Sequence, residues 1–83
     1  MKVYVYLELK ECESGVCSVI RNEVFANEKA ARAYCNDRLD YFREKHPEWK
    51  PEQFEGGWRV DAPTATYSGE YQEQQLRETY VAL

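Results

Sequence analysis

Met1-Lys2-Val3-Tyr4-Val5-Tyr6-Leu7-Glu8-Leu9-Lys10 alternates from one residue to the next. Val3, Val5, Leu7 and Leu9 fall on one side and Tyr4, Tyr6, Glu8 and Lys10 on the other, the period of two that marks a half-buried β-strand. Glu13-Ser14-Gly15 has turn chemistry. A second β-branched run, Val16-Cys17-Ser18-Val19-Ile20-Arg21-Asn22-Glu23-Val24-Phe25, follows it, and together they predict an antiparallel hairpin. With the aliphatic side turned inward, Tyr4 and Tyr6 are expected on the open face of the sheet beside Glu8.

Asn27 is a good helix N-cap, and Glu28 places an acid in the first turn, where the helix dipole favours it. From Glu28 to about Lys45 the period is helical. Ala31, Cys35, Leu39 and Phe42 make one stripe, with Ala30, Tyr34 and Tyr41 on its flank. His46-Pro47 ends the helix, because the residue before proline is pushed out of helical geometry. Residues 47–57 read as a connection pinned by Trp49 and Phe54, with a helical turn starting at Pro51. Trp58-Arg59-Val60-Asp61 alternates again, Pro63 marks an edge or a bulge, and residues 64–68 continue as strand until Gly69-Glu70 turns the chain. Residues 71–83 carry both helical and strand features. A strand at about 74–82 is favoured, since the preceding strand wants a hairpin partner. The expected architecture is a single α+β domain over residues 1–83, β-β-α-β-β, with a four-stranded, mainly antiparallel sheet and one helix across one face.

Composition narrows function. The chain has 83 residues, one histidine and three cysteines, but seven tyrosines and two tryptophans. The net charge is −4. Lysine and arginine are scattered, whereas a phosphate-binding footprint needs a basic patch, so direct nucleic-acid binding is disfavoured. No apolar run approaches the roughly 20 residues of a membrane span, and the first strand is too short and too interrupted for a signal peptide. The expectation is a cytoplasmic protein with no membrane partner and no cofactor.

Three cysteines and a histidine match a Cys₃His zinc site in number. Cys35 and His46, however, sit about 16 Å apart along one helix, too far to share an ion. Cys12 and Cys17 flank the first turn and could face each other across the hairpin within disulfide reach, but in a reducing cytosol two thiols are expected; a small metal-binding protein using this pair is one alternative. Cys35 reads as a core residue. Only His46 could serve a cysteine as base, and its place at a helix end explains it electrostatically, so no catalytic residue is assigned. Arg38 breaks the apolar stripe. It is expected either to pair with a sheet carboxylate such as Glu23 or Asp61, or to hold an anion at the sheet edge.

Two candidate contact surfaces remain: Tyr4, Tyr6 and Glu8 on the open sheet face, and the acidic–aromatic segment with Glu44, Glu48, Trp49, Glu52 and Phe54. Tyrosine and tryptophan are enriched at interfaces. The tyrosine-rich first strand, the hairpin, Val24-Phe25-Ala26-Asn27-Glu28-Lys29-Ala30-Ala31 opening a helix, the tryptophan strand and the closing Glu78-Thr79-Tyr80-Val81-Ala82-Leu83 together resemble the small proteins carried by bacteriophages and mobile elements, some of them anti-CRISPR or other anti-defence inhibitors. The resemblance is one of pattern and carries no functional residue across. It implies a protein that blocks a larger complex by occupying a surface, with acidic side chains where nucleic acid would lie. The expected function is thus a non-catalytic, acidic protein-binding inhibitor with a partner of basic surface. A homodimer joined through the open tyrosine-bearing face is the alternative.

Overall fold

The computed structural model describes residues 1–75. Strand β1 (Lys2–Cys12) pairs antiparallel with β2 (Cys17–Phe25). Gly15, at φ 88°, closes the turn between them in a conformation that favours glycine. Helix α1 (Glu28–Lys45) follows, capped at its start by Asn27, whose Oδ1 accepts from the Ala30 amide at 2.8 Å. It ends where the His46 amide donates to Phe42 O, one residue before Pro47. A 3₁₀ turn (Pro47–Trp49) leads into β3 (Glu52–Phe54), which turns through Gly56 into β4 (Gly57–Asp61). The last described strand is β5 (Ala65–Gln75). The sheet order is β2-β1-β5-β4-β3, antiparallel throughout.

The α+β class, the hairpin, the helix and its placement on one face follow the sequence expectation; the strand count does not. Among the described residues the sheet has five strands rather than four, for two local reasons. Residues 47–57 hold a 3₁₀ turn at Pro47, not a helical turn at Pro51, and then the short strand β3. The chain also reverses at Ala62–Thr64, where the Ala62 amide donates to Ala65 O, so Pro63 sits in a turn and β5 runs straight through Gly69 and Glu70. The strand expected at 74–82 falls mostly outside the described residues, of which residues 74 and 75 close β5.

Gly69 is there for space rather than for a turn. It lies in one row between Glu8 of β1 and Trp58 of β4. A Cβ at this position would overlap the Tyr6 hydroxyl and stand 2.5 Å from the Trp58 ring. A glycine inside a strand marks such a close approach.

The core lies between α1 and one sheet face. Ala31, Cys35, Leu39 and Phe42 of the helix pack on Tyr6, Trp58 and Val60 of the sheet. The Phe42 ring stands 5.1 Å from Trp58 and 5.2 Å from Tyr67. This inverts the expected orientation of β1. Tyr6 and Glu8 are fully buried beneath the helix, and Val3, Val5, Leu7 and Leu9 are on the other face.

Gly69→Ala is expected to destabilise the protein by about 1–3 kcal/mol through overpacking, seen as a lower urea midpoint with little change in slope. A midpoint equal to that of the parent chain would refute the close-packing role.

Candidate functional site

The charged residue buried deepest is Glu8, and three donors converge on it. Arg38 Nε donates to Oε1 at 2.8 Å and Nη2 to Oε2 at 2.9 Å, while Tyr6 Oη donates to Oε1 at 2.7 Å. Arg38 reaches down from the middle of the helix stripe, its guanidinium 4.8 Å from the Tyr41 ring centroid and 5.9 Å from that of Phe42. Its partner is a sheet carboxylate, as the sequence leads one to expect, but it is Glu8 rather than Glu23 or Asp61, and Asp61 pairs with Arg59. The anion at Arg38 is therefore supplied by the chain itself. Its hydrogen bonds to Glu8 raise the Arg38 pKa, and burial followed by the bond to Glu8 raises that of Tyr6.

The remaining sequence candidates separate. Tyr4 is half-buried on the helix side, donating to Glu73 at 3.2 Å. Trp49 is half-buried, stacked on His46 at 3.7 Å and packed against Phe42. It pins its segment as expected. Phe54 does not, being 51% exposed. Glu44 and Glu48 are exposed near the end of the helix, with Glu48 3.4 Å from His46 Nδ1. Glu52 and Phe54 share the open sheet face, in the rows of Leu9 and Leu7. Cys12 and Cys17 do not face each other: Cys17 lies opposite Glu11, which puts the two thiols on opposite faces of the sheet, and both are free. Among the described residues no three His, Cys, Asp or Glu side chains are grouped to hold a metal ion, and no helix is long and apolar enough to cross a membrane.

The open face is the surface that the sequence reading missed. In register order it carries Val3, Val5, Leu7 and Leu9 on β1 and Val19 and Val24 on β2, the last two 61% and 63% exposed. Val5 and Leu7 join Gln72, Gln74 and Glu70 around a shallow hollow of about 120 Å³. Glu11, Glu70, Asp61 and Glu52 border the aliphatic centre, and Arg59 is the basic residue among them. The alternation of β1 contained this surface all along, assigned to the wrong side. A second opening, a cleft of about 430 Å³ between α1 and the β3–β4 turn, is crossed by Arg32, already bonded to Glu28 and to Tyr71 Oη.

Comparison with protein-family models, with curated protein sequences and with solved structures found no match to this chain.

Two outcomes follow from the buried groups. Replacing one member of the ion pair leaves the other charge stranded, so Glu8→Gln and Arg38→Met should each cost about 3–5 kcal/mol. The variant Tyr6→Phe/Glu8→Leu/Arg38→Met, which also removes the phenol that donates to Glu8, should recover most of that loss in urea titrations. Burial, with Glu8 and Glu70 nearby, pushes the Cys35 thiol up from 9.0 to about 11. Between those values the unfolded chain releases a proton that the folded chain keeps, so this contribution is intact below pH 9.0 and is lost as pH rises toward about 11. The urea midpoint of Cys35→Ala should accordingly fall less steeply than that of the parent chain across this window.

Proposed function

We propose that this chain is a non-catalytic, acidic protein-binding module that occupies an apolar patch bordered by basic residues on a larger partner, an inhibitor of the anti-CRISPR or anti-defence kind it resembles. The observation that carries the reading is the open sheet face: an aliphatic centre of half-buried Val3, Val5, Leu7 and Leu9, continued by exposed Val19 and Val24 on β2, with Glu11, Glu52, Asp61 and Glu70 around it. A sheet face is ordinarily covered by a second layer, and contiguous exposed apolar area marks an interaction site. The acidic border selects a basic partner surface and steers its approach. The chain's net charge of −4 acts in the same direction.

Two buried groups that chemistry could use, Glu8 and Cys35, are engaged structurally. Both Glu8 oxygens are held by Arg38, and the Cys35 thiol stays protonated at neutral pH. This favours occlusion over catalysis. Tyr6 and Glu8 act from inside, by fixing which side of β1 faces out, while Glu52 and Phe54 contribute to the contact directly.

The test is to capture a partner on the tagged full chain, purify it, and measure its affinity by calorimetry at low and high ionic strength. The Val5→Lys/Leu7→Lys variant serves as comparison. A stoichiometric partner is expected whose affinity falls with salt and drops at least tenfold, about 1.4 kcal/mol, in the variant. Equal binding by the parent chain and a folded variant, or binding indifferent to salt, sinks the proposal.

A further inference from the structure

Strand β2 is an edge. It pairs with β1 on one side, and among the described residues no strand lies on the other. All of Cys17–Val24 is exposed. Edge strands of this length are ordinarily blunted by inward charges, proline or covering segments, because their free N–H and C=O groups template another strand. β2 has no proline, and its two charges, Arg21 and Glu23, are neighbours on the same face. Arg21 donates to Tyr34 Oη at 3.4 Å, and Glu23 has no ion-pair partner among the described residues.

We infer that β2 pairs antiparallel with β2 of a second copy about a two-fold axis through Asn22, joining two sheets into one. The pattern of the strand selects this register. With Asn22 opposite itself, Arg21 faces Glu23 of the second copy, and Glu23 faces its Arg21, so two ion pairs form on the helix side. Val24, 63% exposed in the single chain, lies beside this contact on the open side. Opposite charges directly across an antiparallel pair stabilise it, and like charges destabilise it. Shifting the axis by one residue to Glu23 sets carboxylate against carboxylate; shifting it to Arg21 sets guanidinium against guanidinium. Registers centred between residues oppose charges to apolar or neutral side chains. An isologous two-fold contact forms every favourable pair twice.

Ile20 is the extra residue where the β1–β2 register shifts between Glu8 and Leu9. Such a bulge re-aims a side chain and raises the local twist, which leaves Arg21–Phe25 as the regular run for the second copy. The central three pairs, Arg21–Glu23, Asn22–Asn22 and Glu23–Arg21, lie within that run. The same pairing extends the aliphatic face across the axis through Val24, without covering Val5 or Leu7.

Sedimentation equilibrium of the full chain from about 1 µM to about 500 µM tests the inference, a range that spans weak to firm association. The parent chain should move from monomer to dimer mass. Arg21→Glu and Glu23→Arg should each weaken self-association at least tenfold while keeping the far-UV spectrum of the parent. An equimolar mixture of the two should regain it as a heterodimer, which native mass spectrometry resolves by mass. Should either variant fail to fold, Asn22→Cys in a Cys12→Ser/Cys17→Ser background provides the second readout, since residues directly opposite across the axis fall within disulfide reach and should cross-link on mild oxidation. A parent chain that stays monomeric throughout, folded charge variants that associate as the parent does, a mixture no tighter than its components, or a folded cysteine variant that does not cross-link would each overturn it.

Discussion

Between the helix and the sheet a buried carboxylate and a partly buried guanidinium meet, Glu8 from β1 and Arg38 from α1, with Tyr6 closing the third side. Removing two charges from solvent is expensive, and their attraction offsets the cost only when the geometry is good and the spare lone pairs are satisfied. Here two guanidinium donors and a phenol meet that condition. A carboxylate on the helix side of β1 brings its i−2 neighbour with it, since the strand alternates. Tyr6 therefore goes into the core, and it takes a glycine at position 69 to leave room for the phenol beside Trp58. One ion pair thus sets the orientation of the first strand, the composition of the core and the identity of the residue facing both in the next strand.

The surface inherits the rest. With the aromatic side of β1 inside, its aliphatic side is left on the face that no helix of the described residues covers. The result is unusual in distribution rather than in amount: the rings that sequence reading assigned to a partner are largely structural, and the valines and leucines that looked like core are half-exposed on the open face. Tyr34 joins Phe25 and Tyr6 at ring separations of 5.3 and 5.0 Å, so the aromatic cluster also ties β2 to the helix. That tie holds the outer strand in place, and among the described residues its far edge is left without a strand partner.

The helix was legible almost to the residue, since its start depends on a side chain two or three positions away and its end on the following proline. Hairpin β1–β2 was legible for the same reason, the turn being written in Gly15. Gly69 was misread because a glycine serves a positive φ and a close approach equally well, and only the neighbours in the adjacent strands tell them apart. Cys12 and Cys17 look paired across a turn, but a register step of one residue puts them on opposite faces. Phe54 was assigned to pinning because it is large and apolar, and nothing local indicates that β3 turns it outward.

What the sequence determined by itself is every feature governed by contacts a few residues long: the period of two in β1, the period of 3.6 in α1, the Asn27 cap, and a stripe of Ala31, Cys35, Leu39 and Phe42 that had to be buried. What only the tertiary structure decided is which side of β1 meets that stripe. Both sides were apolar enough to be inside, so alternation alone was neutral between them. The choice lay in the partner of Arg38, thirty positions away from Glu8 along the chain, and a charge buried in a helix stripe is satisfied by whichever carboxylate the fold brings opposite to it.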